Sequence, residues 1–164
     1  MKKGFMTSQL EQARLLMPAV QKLAASAYAP LTQQYPELAV LMENVPESRW
    51  NFFFITACIG VTFILAPVQV AESSQSQVCD TVAAALEAWH PQGYEALEDF
   101  LQFVRDRLRQ DMEMPAAIGA WLLWNLKQAQ PSPEELNLAL PLGLFFLHSF
   151  KDWWGSEAEE PVLH

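Results

Sequence analysis

The sequence predicts an all-α fold, a single-domain bundle of six or seven helices around an apolar central helix at about 50–67. Three observations carry this. Apolar residues recur at helical spacing along most of the chain. Helix-start patterns and prolines punctuate it at intervals suited to short connections. The one segment with strand-like composition has no second strand to pair with.

Ser8 and Glu11 make a Ser-x-x-Glu capping pattern. Leu10, Ala13, Leu16, Met17, Val20, Leu23, Ala24 and Ala27 then predict a helix over about 8–29, kinked or broken near Pro18 and ended by Pro30. Pro36 opens a short helix over about 36–45, with Leu38, Leu41, Met42 and Val45 on one face.

No charge occurs between Arg49 and Glu72. The run from Phe52 to Leu65 has no polar face, and Pro67 is expected to stop it. Its β-branched and aromatic residues suit strands, but its length and lack of turn residues favour one helix. After a polar joint at 73–77, Val78, Val82, Ala85, Leu86 and Trp89 mark an amphipathic helix over about 75–90. His90-Pro91-Gln92-Gly93 is a turn signal. The next helix, about 94–112, sets a stripe of Tyr94, Leu97, Leu101, Val104 and Leu108 against a charged remainder.

Pro115 opens a sixth helix to about Gln130, apolar on nearly every side from Ile118 to Trp124. Ser132-Pro133-Glu134-Glu135 combines an N-cap serine, a first-position proline and an acid at the third position. The seventh helix is expected to reach about Trp154, disturbed by Pro141 and Gly143. The domain therefore spans 1–154, and 155–164 reads as an acidic, flexible tail.

Composition narrows the function classes. Of the 164 residues, 51% are apolar and 18% charged, against roughly 25% charged in an average soluble domain. Disorder of the bulk is excluded. The net charge of −9 makes nucleic acid a poor partner and favours a basic protein. Cys58 and Cys79 form no Cys-x-x-Cys pair, so a reducing, cytoplasmic setting is the default. Lys2 and Lys3 resemble the start of a secretory signal, but the polar stretch Thr7–Gln12 follows where an apolar core belongs.

The central run also approaches the length of a membrane span, roughly 17–25 residues. Lys2, Lys3, Arg14, Lys22 and Arg49 precede it and no base follows until Arg105. Anchoring through 52–68 with a cytoplasmic N-terminus is therefore the alternative to a buried core helix. The surrounding amphipathic helices need an apolar surface to pack on, which favours the core reading.

Chemistry is sparse. Glu87 and His90 match the Glu-x-x-His spacing of di-metal bundles, but no second pair exists, and His90 before Pro91 fits a helix end. Arg105 and Arg109 share a face, with Asp106 and Asp111 nearby to neutralise it. Nucleophile elbows and phosphate loops are absent. No cofactor or metal is implied and no enzyme activity is expected.

What remains is a surplus of apolar surface. It is expected to meet a partner or a second copy through Trp121, Trp124, Phe145, Phe146, Trp153 and Trp154. Glu95 and Asp99, on the acidic face of 94–112, would steer a basic partner. An interhelical pocket for an apolar small molecule is the competing expectation.

Overall fold

The computed structural model describes the backbone of residues 2–163 and the side chains of residues 9–154. Among these residues the chain is helical and has no strand, in agreement with the all-α expectation. The helices are α1 (Lys2–Gln34), α2 (Pro36–Met42), α3 (Glu47–Gln69), α4 (Gln75–Trp89), α5 (Gly93–Arg109), α6 (Met114–Lys127), the single turn α7 (Pro133–Leu136) and α8 (Ala139–Leu163). A 3₁₀ turn, Glu72–Ser74, links α3 to α4. The tail expected from Gly155 and the side chain of the expected cap Ser8 lie outside the described side chains.

α3 is the hub. It packs against α1, α4, α5, α6 and α8. Phe54, Ala57, Cys58, Ile59 and Val61 are fully buried along it. The large ones among them, Phe54, Ile59 and Val61, contribute about 1.5–3 kcal/mol of gross burial each. Thr56 and Thr62 are buried too, and their hydroxyls donate to the carbonyls of Phe52 and Cys58 one turn back. This local bonding lets hydroxyls sit in an apolar core without an orphaned donor.

Pro30 and Pro67 do not end their helices as expected, and Pro18 does not break α1. α1 continues through Pro18 and Pro30 to Gln34, and α3 runs past Pro67 to Gln69. A proline frees the carbonyl four residues back. Pro18, Pro30 and Pro67 are all exposed, as are Arg14 and Ser26, so the carbonyls freed in α1 lie on a wet face. The buried seam of α1, from Ala13 through Leu16, Val20, Ala24 and Ala27 to Leu31, crosses both its prolines unbroken.

The expected seventh helix is also divided. Ser132 Oγ accepts from the Glu135 N–H at 3.1 Å, and Glu135 Oε1 accepts from the Ser132 N–H at 2.7 Å. The reciprocal cap is therefore formed, but its helix lasts one turn. α8 then begins afresh at Ala139, placing Pro141 in its first turn, where a missing N–H leaves no bond unmade.

α6 and α8 make the most extensive helix pairing in the fold. They run antiparallel with Gly119 against Ala139 and Gly143 against Pro115. A Cβ on either glycine would overlap a backbone carbonyl of the other helix. Both positions require glycine because backbone meets backbone there.

Side chains fasten the hub at both ends. Trp50 Nε1–H donates to the Ala24 carbonyl at 2.8 Å. Arg49 donates to the Leu126 carbonyl at the α6 C-terminus, 3.1 Å away, and Gln128 closes that helix in the left-handed region (φ 62°). Buried Gln9 brackets the far end. Its Nε2 donates to the Gln69 carbonyl and its Oε1 accepts from the Ala71 N–H, both at 3.0 Å. A single amide thus satisfies two backbone groups that the end of α3 leaves open.

Candidate functional site

The α4–α5 turn positions the site. His90 takes an extended backbone (φ −153°, ψ 133°), as the residue before a proline should. The His90 carbonyl accepts from the Gly93 N–H, and its Nδ1 accepts from the Gln92 N–H at 3.0 Å. His90 therefore ties the turn, and Glu87 lies exposed on α4. Among the described residues no group of three or more His, Cys, Asp or Glu side chains is arranged to hold a metal ion.

The turn launches α5 so that Gln92, Glu95, Ala96 and Asp99 face the N-terminal part of α3 and one edge of α6. Between them lies a solvent-open cleft of about 300 Å3, completed by Phe52, Phe53 and Trp121. The aromatic wall is held from several sides. Phe52 stacks on Trp89 with ring centres 5.6 Å apart, lies 4.6 Å from the His90 ring, and meets Phe53 edge-on at 5.0 Å. Phe53 in turn meets Trp121 at 5.6 Å. Such pairs contribute about 0.5–1.5 kcal/mol each beyond burial and fix ring orientation.

Opposite the rings stand Glu95 and Asp99, one turn apart on α5 and both exposed. Trp121 Nε1–H donates to Asp99 Oδ2 at 2.9 Å. This occupies one oxygen of Asp99 and sets its rotamer. The ion pairs among the described residues are Arg14–Glu11, Arg109–Asp106 and Lys127–Glu135. None neutralises Glu95 or Asp99.

The expected partner-binding residues thus divide. Glu95, Asp99 and Trp121 meet in this cleft, though Trp121 is buried and offers only its bonded edge. Phe146 and Trp154 are fully buried. In contrast to the sequence expectation, they present no surface to a partner, because α8 turns them into the contacts with α1, α3 and α6. Phe145 and Trp153 are half-buried against the same core. Trp153 borders a second open cleft of about 350 Å3 with Ala19, Leu23 and Phe150.

Trp124 is 36% exposed but already engaged. The Arg107 guanidinium lies 4.3 Å above the Phe103 ring and 5.9 Å from Trp124. The chain supplies its own cation there, a contact of about 0.5–1 kcal/mol at an exposed site. The sequence does not mark Phe52 and Phe53 as candidate site residues. Their run reads as uniform core in sequence, whereas in the fold they are only partly buried and burial becomes complete at Phe54.

The stripe of α5 is also rotated from expectation. Gly93, Leu97, Phe100 and Val104 are the buried positions, with Tyr94 and Leu108 left exposed. The rotation follows from Phe100, whose ring fills the space above Gly60 of α3. No protein-family model, no curated protein and no solved structure matches the chain.

Proposed function

We propose that the protein is a non-enzymatic, cytoplasmic interaction protein that engages a basic protein partner through an acidic and aromatic surface. The observation that carries this reading is the cleft between α3, α5 and α6. It sets a fixed aromatic wall beside two carboxylates that no base of the described chain neutralises. The net charge of −9 attracts such a partner from a distance and speeds encounter. The cleft supplies what charge alone lacks, a shaped place to dock.

The test is fluorescence anisotropy with a labelled 20-residue peptide rich in lysine and arginine, and an acidic peptide of equal length as control. The reading expects binding of the basic peptide only, weakening as ionic strength rises. Absence of binding at low salt would remove it.

A second reading rests on α3, which is long and apolar enough to cross a membrane, with a mean hydropathy of 2.0 in its most apolar stretch. Against it, 56% of that stretch is buried within the protein. In a bundle this burial would have to be undone for the helix to meet lipid. Fractionation of expressing cells without detergent separates the two: the proposal expects the chain in the supernatant.

A further inference from the structure

The chemistry of the cleft is narrower than a preference for positive charge. We infer that it takes the guanidinium group of an arginine side chain, held against the Phe52–Phe53 wall and bridging Glu95 and Asp99. This rests on the reading of a basic partner given above. Two features lead to it.

First, the free acceptors are spread. Trp121 Nε1–H consumes Asp99 Oδ2, leaving Asp99 Oδ1 and both oxygens of Glu95. Residues four apart on a helix stand about 5–6 Å from one another. An ammonium is a compact point charge and pairs best with one carboxylate at a time. A guanidinium is planar, carries five donors in a fixed fork, and reaches both. A quaternary ammonium has no donor for either. No third His, Cys, Asp or Glu side chain joins them to build a metal site among the described residues.

Second, the fold already sets one arginine against an aromatic pair, there without a carboxylate partner among the described residues. Farther along α5, Arg107 lays its guanidinium over Phe103 and beside Trp124 of α6. Asp99, Phe103 and Arg107 follow one another at four-residue intervals on α5. Along this one stripe, the aromatic pair at the C-terminal end has its arginine. The aromatic pair at the N-terminal end, Phe52 and Phe53, has carboxylates and, among the described residues, no arginine. The open end of the stripe therefore suits a group the same helix already uses.

The experiment is two-dimensional 1H–15N NMR of the whole chain, following the Trp121 indole N–H. The signal is assigned by its loss in Trp121→Phe. The probe is a capped nonapeptide of three Ser-Gly-Arg repeats. Parallel peptides carry lysine or citrulline (the neutral isostere) in place of arginine. The inference expects the Trp121 indole to shift with the arginine peptide. Binding should weaken about fivefold with lysine and at least tenfold with citrulline. The double variant Glu95→Gln, Asp99→Asn should weaken arginine binding at least tenfold. Both changes are isosteric at exposed positions, and the amide that replaces the Asp99 carboxylate would keep an oxygen for the indole, so the thermal melt should match wild type.

Equal binding of the lysine and arginine peptides would overturn the guanidinium inference and leave the basic-partner reading standing. So would arginine binding that leaves the indole unshifted. Failure of both basic peptides to bind would overturn the inference and the reading together.

Discussion

Gly143→Ala gives a sharp test of how α6 and α8 are joined. In an exposed helix interior this substitution stabilises by about 0.8–1 kcal/mol, since alanine has the higher propensity. Here the added methyl would overlap the Pro115 carbonyl, which is backbone and cannot rotate aside. The helices would have to separate by on the order of 1 Å, loosening the close packing along the whole seam.

Overpacking of a tight core costs about 1–3 kcal/mol and occasionally more. With the clash against backbone, the upper part of that range applies, leaving a net loss of about 2 kcal/mol after the propensity gain. For a chain of this size that lowers Tm by about 4–8 °C. The assay is thermal and urea unfolding of the variant beside Gly119→Ala, which meets the Ala139 carbonyl in the same way and should behave alike. A rise in stability of about 1 kcal/mol, the propensity value alone, would refute the backbone-to-backbone seam.

Three other outcomes are expected. Gln9→Ala removes both bonds that bracket the end of α3; it should cost about 2 kcal/mol and speed hydrogen exchange at the Ala71 amide, and unchanged exchange would contradict the bracket. The Glu135 carboxyl is held below the ordinary glutamate range, first by the hydrogen bond from Lys127 and then by the Ser132 backbone N–H. A depressed pKa gives stability that is present above the unfolded value of about 4.3 and is lost as pH falls through the folded one. Glu135→Gln should therefore show a shallower acid limb in a stability-against-pH profile below about pH 4.5, and an identical limb would count against it. Burial pushes the Cys58 thiol well above its usual value, while Cys79 is only half-buried, its pKa raised by burial and then by the Asp80 charge. A thiol reagent should modify Cys79 first and Cys58 only on unfolding, as mass spectrometry of timed samples would reveal.

The features legible in the sequence were those governed by neighbours along the chain. The Ser132–Glu135 cap lies within four consecutive residues, and both of its bonds are formed. Val78, Val82 and Leu86 of α4 came straight from periodicity. The misread features depend on what lies across space. Whether Pro18, Pro30 or Pro67 breaks a helix depends on whether the freed carbonyl can reach water, which sequence does not encode locally. In α6 and α8 apolar residues surround the axis, so periodicity cannot say that Trp124 is exposed while Trp121 and Phe146 are buried. The cleft itself joins residues as distant as Phe52 and Trp121. Glu95 and Asp99, at helical spacing on the charged side of α5, announced the acidic half of it, and of the aromatic half only Trp121 was marked. A weak signal for the rest existed in the three phenylalanines after Arg49 and Asn51, at the polar boundary of the apolar run.

The central claim is that the cleft at Phe52, Glu95 and Asp99 is where a basic protein docks. Site-specific photocrosslinking in the cells that make the protein tests it most directly. A benzoylphenylalanine replaces Gln92 at the cleft, and in a second chain it replaces exposed Val40 on α2. The account predicts an adduct with a basic protein from position 92 alone, abolished by Glu95→Gln with Asp99→Asn. Adducts that form equally from position 40, or that survive the double substitution, would contradict it.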